Sequence, residues 1–263
     1  MMSTSMFPEI SAPVRATNLL DPQRVTRVEA TGNGYFDLLG DDAPPAHNIV
    51  QRLMRTTIYS TVYQFGRPIG LRLASGTKAP GRDRDRQRIA DWLGLRPGQT
   101  VLDIGCGPGN FTGWFGAQVF PQGLAVGVDA SRQMLHRAVA DNSGPCVAYL
   151  RADAEHLPFA DNVADAVTCL AALYLINEPF LAIRELVRVL APGGKVVILT
   201  SLAPGGASQS RRGRVMQTAS GVRMFGRGEI TDFLHGMGLV DITQHVEGLA
   251  QFVIATKLNP DIA

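Results

Sequence analysis

The sequence predicts an α/β fold built on a mostly parallel sheet, and three observations carry that expectation. Apolar, strand-length runs at 100–105, 124–129, 147–152, 165–170 and 195–201 alternate with helical stretches. That alternation marks βαβ units and a sheet covered on both faces. A glycine-rich stretch, VLDIGCGPGNF at 101–111, joins the first of these runs to a helix. Near the end, VDITQHVEGLAQFVIATK reads as two further strands broken at Glu247-Gly248, and so short a connection makes them antiparallel. The expected sheet therefore has seven strands, mostly parallel, with an antiparallel C-terminal pair.

The elements follow in order. Residues 1–46 are mixed and turn-rich, ending in GDDAPPAH, and contain no repeat. Ile49, Val50, Leu53, Met54, Ile58, Val62 and Phe65 then recur at three- and four-residue spacing, which predicts a helix over 48–65. Gly66 and Pro68 end it, IGLRLASG supplies a short second helical piece, and SGTKAPGRD reads as a linker. The chain thus divides into an N-terminal extension with a helical cap (1–80) and a main domain (81–258). RDRDRQRIADWLGL is a helix that leads through RPGQ into the first strand, while SRQMLHRAVADN, PFLAIRELVRVLAPGG and EITDFLHGMGL are the later helices.

Composition narrows the class of function. Hydrophobic residues make up 45% of 263 and charged residues 18%, an ordinary globular balance. The net charge of +2, without a basic run, argues against a nucleic-acid partner. Cys106, Cys146 and Cys169 lie far apart with no CxxC or Cys/His cluster, which suits a reducing cytoplasm and predicts neither a disulfide framework nor a metal site. The opening MMSTSMFPEI lacks the pattern of a secretory leader, and no apolar run approaches the roughly 18 residues of a membrane span. The expectation is a cytoplasmic protein acting on a small molecule.

A glycine-rich turn from a strand into a helix presents backbone N–H groups to a ligand. The dinucleotide fingerprint is GxGxxG, whereas Gly105, Gly107 and Gly109 give GxGxG and Asn110 holds the third-glycine place. Asp103, two residues before the first glycine, would repel a pyrophosphate and favour an ammonium or sulfonium charge. The loop therefore suits S-adenosylmethionine better than NAD. Asp129 lies 20 positions after Gly109 (129 − 109), at the end of the second strand, where a carboxylate can accept from both ribose hydroxyls. It could also be a helix N-cap or turn residue. Asp153, at the end of the third strand, could accept from an adenine amino group with the Ala154 N–H meeting the ring, or be a polar strand-to-loop residue. Asp103, Asp129 and Asp153 at three successive strand ends fit a ligand bound outside the carboxyl ends of a parallel sheet.

These stretches, with VGVDASRQML, RADAEHLPF, ADAVTCLAALYLI and ELVRVLAPGGKVVIL, occur in one order across about residues 83–201. In this the sequence resembles the class I S-adenosylmethionine-dependent methyltransferases, which are Rossmann-like, and especially the ubiquinone- and menaquinone-biosynthesis branch. The resemblance implies that Asp103 and the backbone of Gly105, Cys106 and Gly107 hold the methionine end. It implies that Asp129 holds the ribose, Ala130 and Met134 line the adenine, and Asp153 and Ala154 read its edge. The Leu170 carbonyl would approach the methionine ammonium, and S-adenosylhomocysteine would be the product. Pro192, Gly193 and Gly194 would form a tight turn before the fifth strand.

The substrate is less legible. The helix at 48–65 and the insert at 203–226 are the expected pocket walls, with Tyr59, Tyr63 and Met224 as candidate contacts; Tyr59 and Phe65 could equally be core residues of an amphipathic helix. Tyr174, just after the fourth strand, is the candidate base. The expected reaction is methyl transfer to an O, C or N atom of a small apolar metabolite such as a quinone precursor, lipid or polyketide-like ring. Two alternatives stay open: a non-catalytic protein that binds S-adenosylmethionine, because no base is obvious, and an NAD(P) oxidoreductase, disfavoured by Asp103 and Asn110. Arg52 and Arg55 leave open peripheral membrane contact by 48–75, against the more economical intramolecular cap.

Overall fold

The computed structural model describes residues 10–41, 82–206 and 223–260. The helix expected at 48–65, with Tyr59 and Tyr63, lies outside the described residues, as does most of the 203–226 insert.

The chain opens with helix α1 (Ala12–Thr17) and two short strands, β1 (Glu29–Ala30) and β2 (Phe36–Asp37). Helix α2 (Arg82–Leu93) then precedes β3 (Thr100–Ile104), α3 (Thr112–Val119), β4 (Leu124–Asp129), α4 (Arg132–Asn142) and β5 (Val147–Arg151). Next come β6 (Ala164–Leu170), a 3-10 turn at Leu173–Leu175, α5 (Pro179–Val189) and β7 (Leu190–Ser201). Helix α6 (Glu229–Gly236) and the strands β8 (Leu239–Glu247) and β9 (Ala250–Lys257) close the fold.

The nine strands form one sheet in the order β1-β2-β5-β4-β3-β6-β7-β9-β8. Strands β3 to β7 are mutually parallel, and β9 enters antiparallel between β7 and β8. The order reverses at β3, which has β4 on one side and β6 on the other. A sheet wound in both directions from one strand leaves a crevice at that strand's carboxyl end, because the following connections depart to opposite faces.

The expected seven strands are present, and the N-terminal segment adds two more at the far edge. Phe36 and Asp37 pair in parallel with Leu150 and Arg151 of β5. Strands of two residues carry no readable alternation, so nothing in the sequence marks them. Strand β7 also begins earlier than its apolar run: Leu190 pairs with Ala164 and Lys195 with Ala166, which leaves 191–194 as an irregularity where a simple turn was expected. Gly193 adopts φ +77° there, and a side chain on Gly194 would press on the Asp165 carbonyl.

The central strands are apolar throughout because both faces are covered. One face carries Leu102, Ile104, Val126, Leu150, Val167 and Ile198 against α1, α5 and α6; the other carries Val101, Ala125, Val197 and Leu199 against α2 and α3. At about 25 cal/mol per Å² of apolar surface, each fully buried Leu, Ile or Val contributes roughly 1.5–3 kcal/mol. Among the described residues no helix is long and apolar enough to cross a membrane.

Candidate functional site

The glycine loop runs from β3 into α3 at the switch point. Gly105, Gly107 and Gly109 have φ of +71°, +54° and +73°, in the left-handed region that other residues enter only at a cost. Two of them are packed tight from behind. A Cβ on Gly105 would overlap that of Ala172, and one on Gly109 would overlap the hydroxyl of Tyr149. At Gly107 an added Cβ would meet nothing within 4 Å. The loop therefore has a filled rear and an open front, which is the shape that a closely approaching ligand requires.

Asp103 lies beneath this loop and is only 2% exposed. Its carboxylate accepts from Thr112 Oγ1 at 2.6 Å and from Thr168 Oγ1 at 2.8 Å. Thr168 is its register partner on β6, while Thr112 opens α3. A buried carboxylate needs such donors to offset its desolvation. Asp103 thus ties β3, β6 and the start of α3 together, and it adds negative charge beneath the loop.

Asp129 ends β4 and bridges two backbone segments. Its Oδ2 accepts from the Gly107 N–H at 2.9 Å and its Oδ1 from the Ser131 N–H at 2.8 Å. The N-cap of α4 is Ser131, whose hydroxyl accepts from the Met134 N–H, so the capping alternative for Asp129 is replaced by a turn-and-loop bridge. Ala130 is half-buried and Met134 buried on the first turn of α4.

Asp153 follows β5 and holds its own turn: Oδ1 accepts from the Glu155 N–H at 3.0 Å and Oδ2 meets His156 Nδ1 at 3.2 Å. Ala154 packs partly on the core beside it. Leu170, the last residue of β6, is buried, and Ala171 after it takes φ +60°. A non-glycine residue held at positive φ stores local strain and marks a constrained chain reversal. It lies where the backbone turns past Gly105, and no sequence signal announces it.

The remaining candidates are spread around this edge. Tyr174, in the 3-10 turn after β6, is half-buried between the two main clusters, and its carbonyl accepts from the Arg223 N–H at 3.2 Å. Met224 is buried beside the bridge that pairs Leu202 with Phe225. His136 lies tilted against Tyr35, His245 stacks on Trp92, and His156 is largely exposed. Cys106 packs with Tyr149 and Gly127 under the loop. Its thiol is pushed well above its ordinary pKa by burial, and then by the charges of Asp129 and Asp103. Burial and the Asp103 charge likewise raise Cys169 to about 12. Both are packing residues at neutral pH. No cluster of His, Cys, Asp or Glu able to hold a metal occurs among the described residues.

Sequence reasoning missed a buried ion pair beside the site. Arg151 Nη1 donates to both oxygens of Asp37, at 3.0 and 2.9 Å, and to the Gly40 carbonyl, while its Nε donates to the Ala130 carbonyl at 3.0 Å. Arg132 adds bonds to Asp37 and Gly40. The N-terminal segment is thereby fastened to the backbone that follows Asp129.

Comparison with known proteins agrees with this geometry. Residues 102–198 match the methyltransferase domain family. The ubiquinone/menaquinone biosynthesis C-methyltransferase UbiE of Saccharophagus degradans is 40% identical over 126 residues, which is 46% of this chain and 51% of that protein. Its namesake from Vibrio cholerae is 37% identical over 118 residues, covering 43% and 45%. The chain spans about half the length of the curated relatives it matches. Among solved structures, phospholethanolamine N-methyltransferase 2 of Haemonchus contortus, in complex with phosphomonomethylethanolamine and S-adenosylhomocysteine, superposes with a TM-score of 0.63 at 18% identity, over 78% of this chain and 60% of that one. The [4+2]-cyclase SpnF gives 0.58 at 18% identity, over 77% and 96%. Likeness at that level shows the fold, and one fold hosts more than one chemistry.

Proposed function

We propose that the chain, whose residues 102–198 match the methyltransferase domain family, moves a methyl group from S-adenosylmethionine to a small apolar metabolite. The observation that carries this reading is the glycine loop, open in front at Gly107 and tied through its N–H to Asp129. In this reading the Asp129 rim receives the ribose hydroxyls, Ala130 and Met134 flank the adenine, and Asp153 with the Ala154 N–H meets its edge. The backbone of Gly105, Cys106 and Gly107 and the Leu170 carbonyl receive the methionine end. Asp103 acts from below, through the loop it braces and through its charge.

The bound cofactor supplies a methyl already activated on sulfur. The work left to the chain is alignment of the acceptor and exclusion of water. An electron-rich ring carbon needs little more than that, whereas an oxygen acceptor needs a base. The relatives' printed activity is C-methylation, which favours a carbon acceptor. Tyr174, in the 3-10 turn after β6, is the side chain we place at the acceptor's side of the site.

The test is calorimetric titration of the full chain with S-adenosylhomocysteine beside NADH. Micromolar binding of the first alone supports the reading. Binding of NADH alone would replace it with an oxidoreductase. Binding of S-adenosylhomocysteine without methyl transfer to any quinone-, lipid- or polyketide-like ring would favour a non-catalytic binding protein.

A further inference from the structure

Asp37, Arg151 and Asp129 are in register at the ends of three adjacent strands, β2, β5 and β4. The position of the arginine therefore lies between two acidic ones. Arg151 and Asp37 are both only 4% exposed, so each charge depends on the partners the fold supplies. The guanidinium serves two directions. Its Nη1 donates to both Asp37 oxygens and to the Gly40 carbonyl, and its Nε donates to the Ala130 carbonyl at 3.0 Å.

The Ala130 carbonyl and the Ser131 N–H belong to one planar peptide group. Arg151 Nε holds its oxygen, and Asp129 Oδ1 holds its N–H at 2.8 Å. The other Asp129 oxygen accepts from the Gly107 N–H at 2.9 Å. A tilt of this peptide therefore turns the Asp129 carboxylate with it. Arg132 donates to Asp37 and to the Gly40 carbonyl, so two arginines tie this turn to the N-terminal segment. We propose that Arg151 is a positioning residue: it fixes the peptide that aims the Asp129 carboxylate at the cofactor's ribose, and Asp37 holds the guanidinium in that role. A planar fork meets a carboxylate with one nitrogen and a carbonyl with another, whereas an ammonium has one nitrogen for both. A buried ion pair gives little net stability over apolar packing, but its hydrogen bonds fix direction, and direction is what the Asp129 turn needs. The N-terminal segment thus takes part in cofactor recognition through Asp37, which lies outside the matched residues 102–198. The inference rests on the cofactor reading above, and the test separates the two.

Calorimetry on the full chain compares S-adenosylhomocysteine with its analogue lacking both ribose hydroxyls, and the quantity read is the ratio of the two affinities. Wild type, Arg151→Lys, Arg151→Gln and Asp37→Asn are titrated with both, each below its unfolding temperature. Arg188→Gln is the control, because Arg188 pairs with Glu185 and Asp161 close to where β7 begins, away from the carboxyl ends of the strands. A hydrogen bond to a charged group corresponds to about 10- to 100-fold in affinity, and wild type should prefer S-adenosylhomocysteine by that factor. The expected result is a preference reduced at least about fivefold in Arg151→Gln and Asp37→Asn and partly kept in Arg151→Lys. Arg188→Gln should unfold at a lower temperature and keep the wild-type preference. The wild-type preference in the folded Arg151 and Asp37 variants would overturn the proposal and leave the pair a fastening of the N-terminal segment alone. A wild type that binds both ligands equally would overturn the proposal while the cofactor reading stands. Wild type binding neither ligand would overturn that reading and this inference with it. If Arg151→Gln does not fold, Arg151→Lys and Asp37→Asn carry the comparison.

Discussion

Gly105 and Ala172 stand so close that the glycine has no room for a side chain: a Cβ there would overlap the alanine's own. The contact joins the end of β3 to the turn after β6, and it sets how far the loop can retreat from a ligand. Gly107, two residues on, faces open space. Gly105→Ala combines left-handed strain of about 1–2 kcal/mol with an overpacking cost of about 1–3 kcal/mol. Gly107→Ala carries the strain alone. Urea unfolding should rank the two in that order. Calorimetry should show that Gly107→Ala, though folded, binds S-adenosylhomocysteine at least about tenfold more weakly, since its methyl projects into the ligand's place. Equal stability of the two variants would refute the close packing.

The contrast also shows what could be read from the chain. The five apolar runs are strands because both faces of the parallel sheet are covered, so burial leaves its mark residue by residue. The glycine loop and the C-terminal strand pair are equally local signals. What escaped is held together across distance. Asp37 and Arg151 are 114 residues apart, and Asp103 and Thr168 are 65 apart. Pairing at such separations follows from strand order, which no local pattern encodes.

Asp129 joins Gly107 to Ser131 through its two oxygens, so substitution alters both the loop and the site rim. Asp129→Ala should weaken S-adenosylhomocysteine binding at least about tenfold, and its two lost backbone bonds cost about 1–3 kcal/mol of stability. Asp129→Asn keeps one acceptor and should fall between. Calorimetry alongside thermal unfolding checks both, and wild-type affinity in the alanine variant would remove ribose binding from its role.

Tyr174→Phe removes only a hydroxyl from a half-buried ring. If that hydroxyl takes the acceptor's proton, kcat should drop about 100-fold or more while cofactor affinity stays at its wild-type value. An unchanged kcat with an active acceptor would leave carbon methylation driven by alignment alone.

Cys106 sits in the loop yet is held neutral by burial and by Asp129 and Asp103. The other two cysteines are buried, whereas Cys106 is half-buried. At pH 8 a thiol reagent should therefore label the folded protein slowly and all 3 cysteines at once on unfolding. Fast labelling of Cys106 in the folded state would show a thiolate where the structure places a packed thiol.

Asp37 gives the acid limb of stability. Burial alone would raise its pKa, but the Gly40 N–H, Arg151 and the Leu39 N–H outweigh that and hold it below the ordinary carboxylate value. A carboxyl depressed in the folded state stabilises fully above its unfolded pKa, about 3.9, and loses that contribution as pH falls through the folded value. Asp161, lowered by its bond to Arg188, acts in the same direction. At neutral pH, Asp37→Asn leaves Arg151 with the Ala130 and Gly40 carbonyls and no opposite charge from residue 37, and breaking a buried pair in this way costs about 3–5 kcal/mol. Thermal unfolding of wild type and variant between pH 3 and 8 should show the largest difference near neutrality and a shrinking one below about pH 4. A difference that stays constant to pH 3 would mean that the Asp37 charge does no work in the fold. Its loss on acidification would establish that the N-terminal segment is fastened to β5, and through the Ala130 carbonyl to the backbone next to Asp129, by an ion pair.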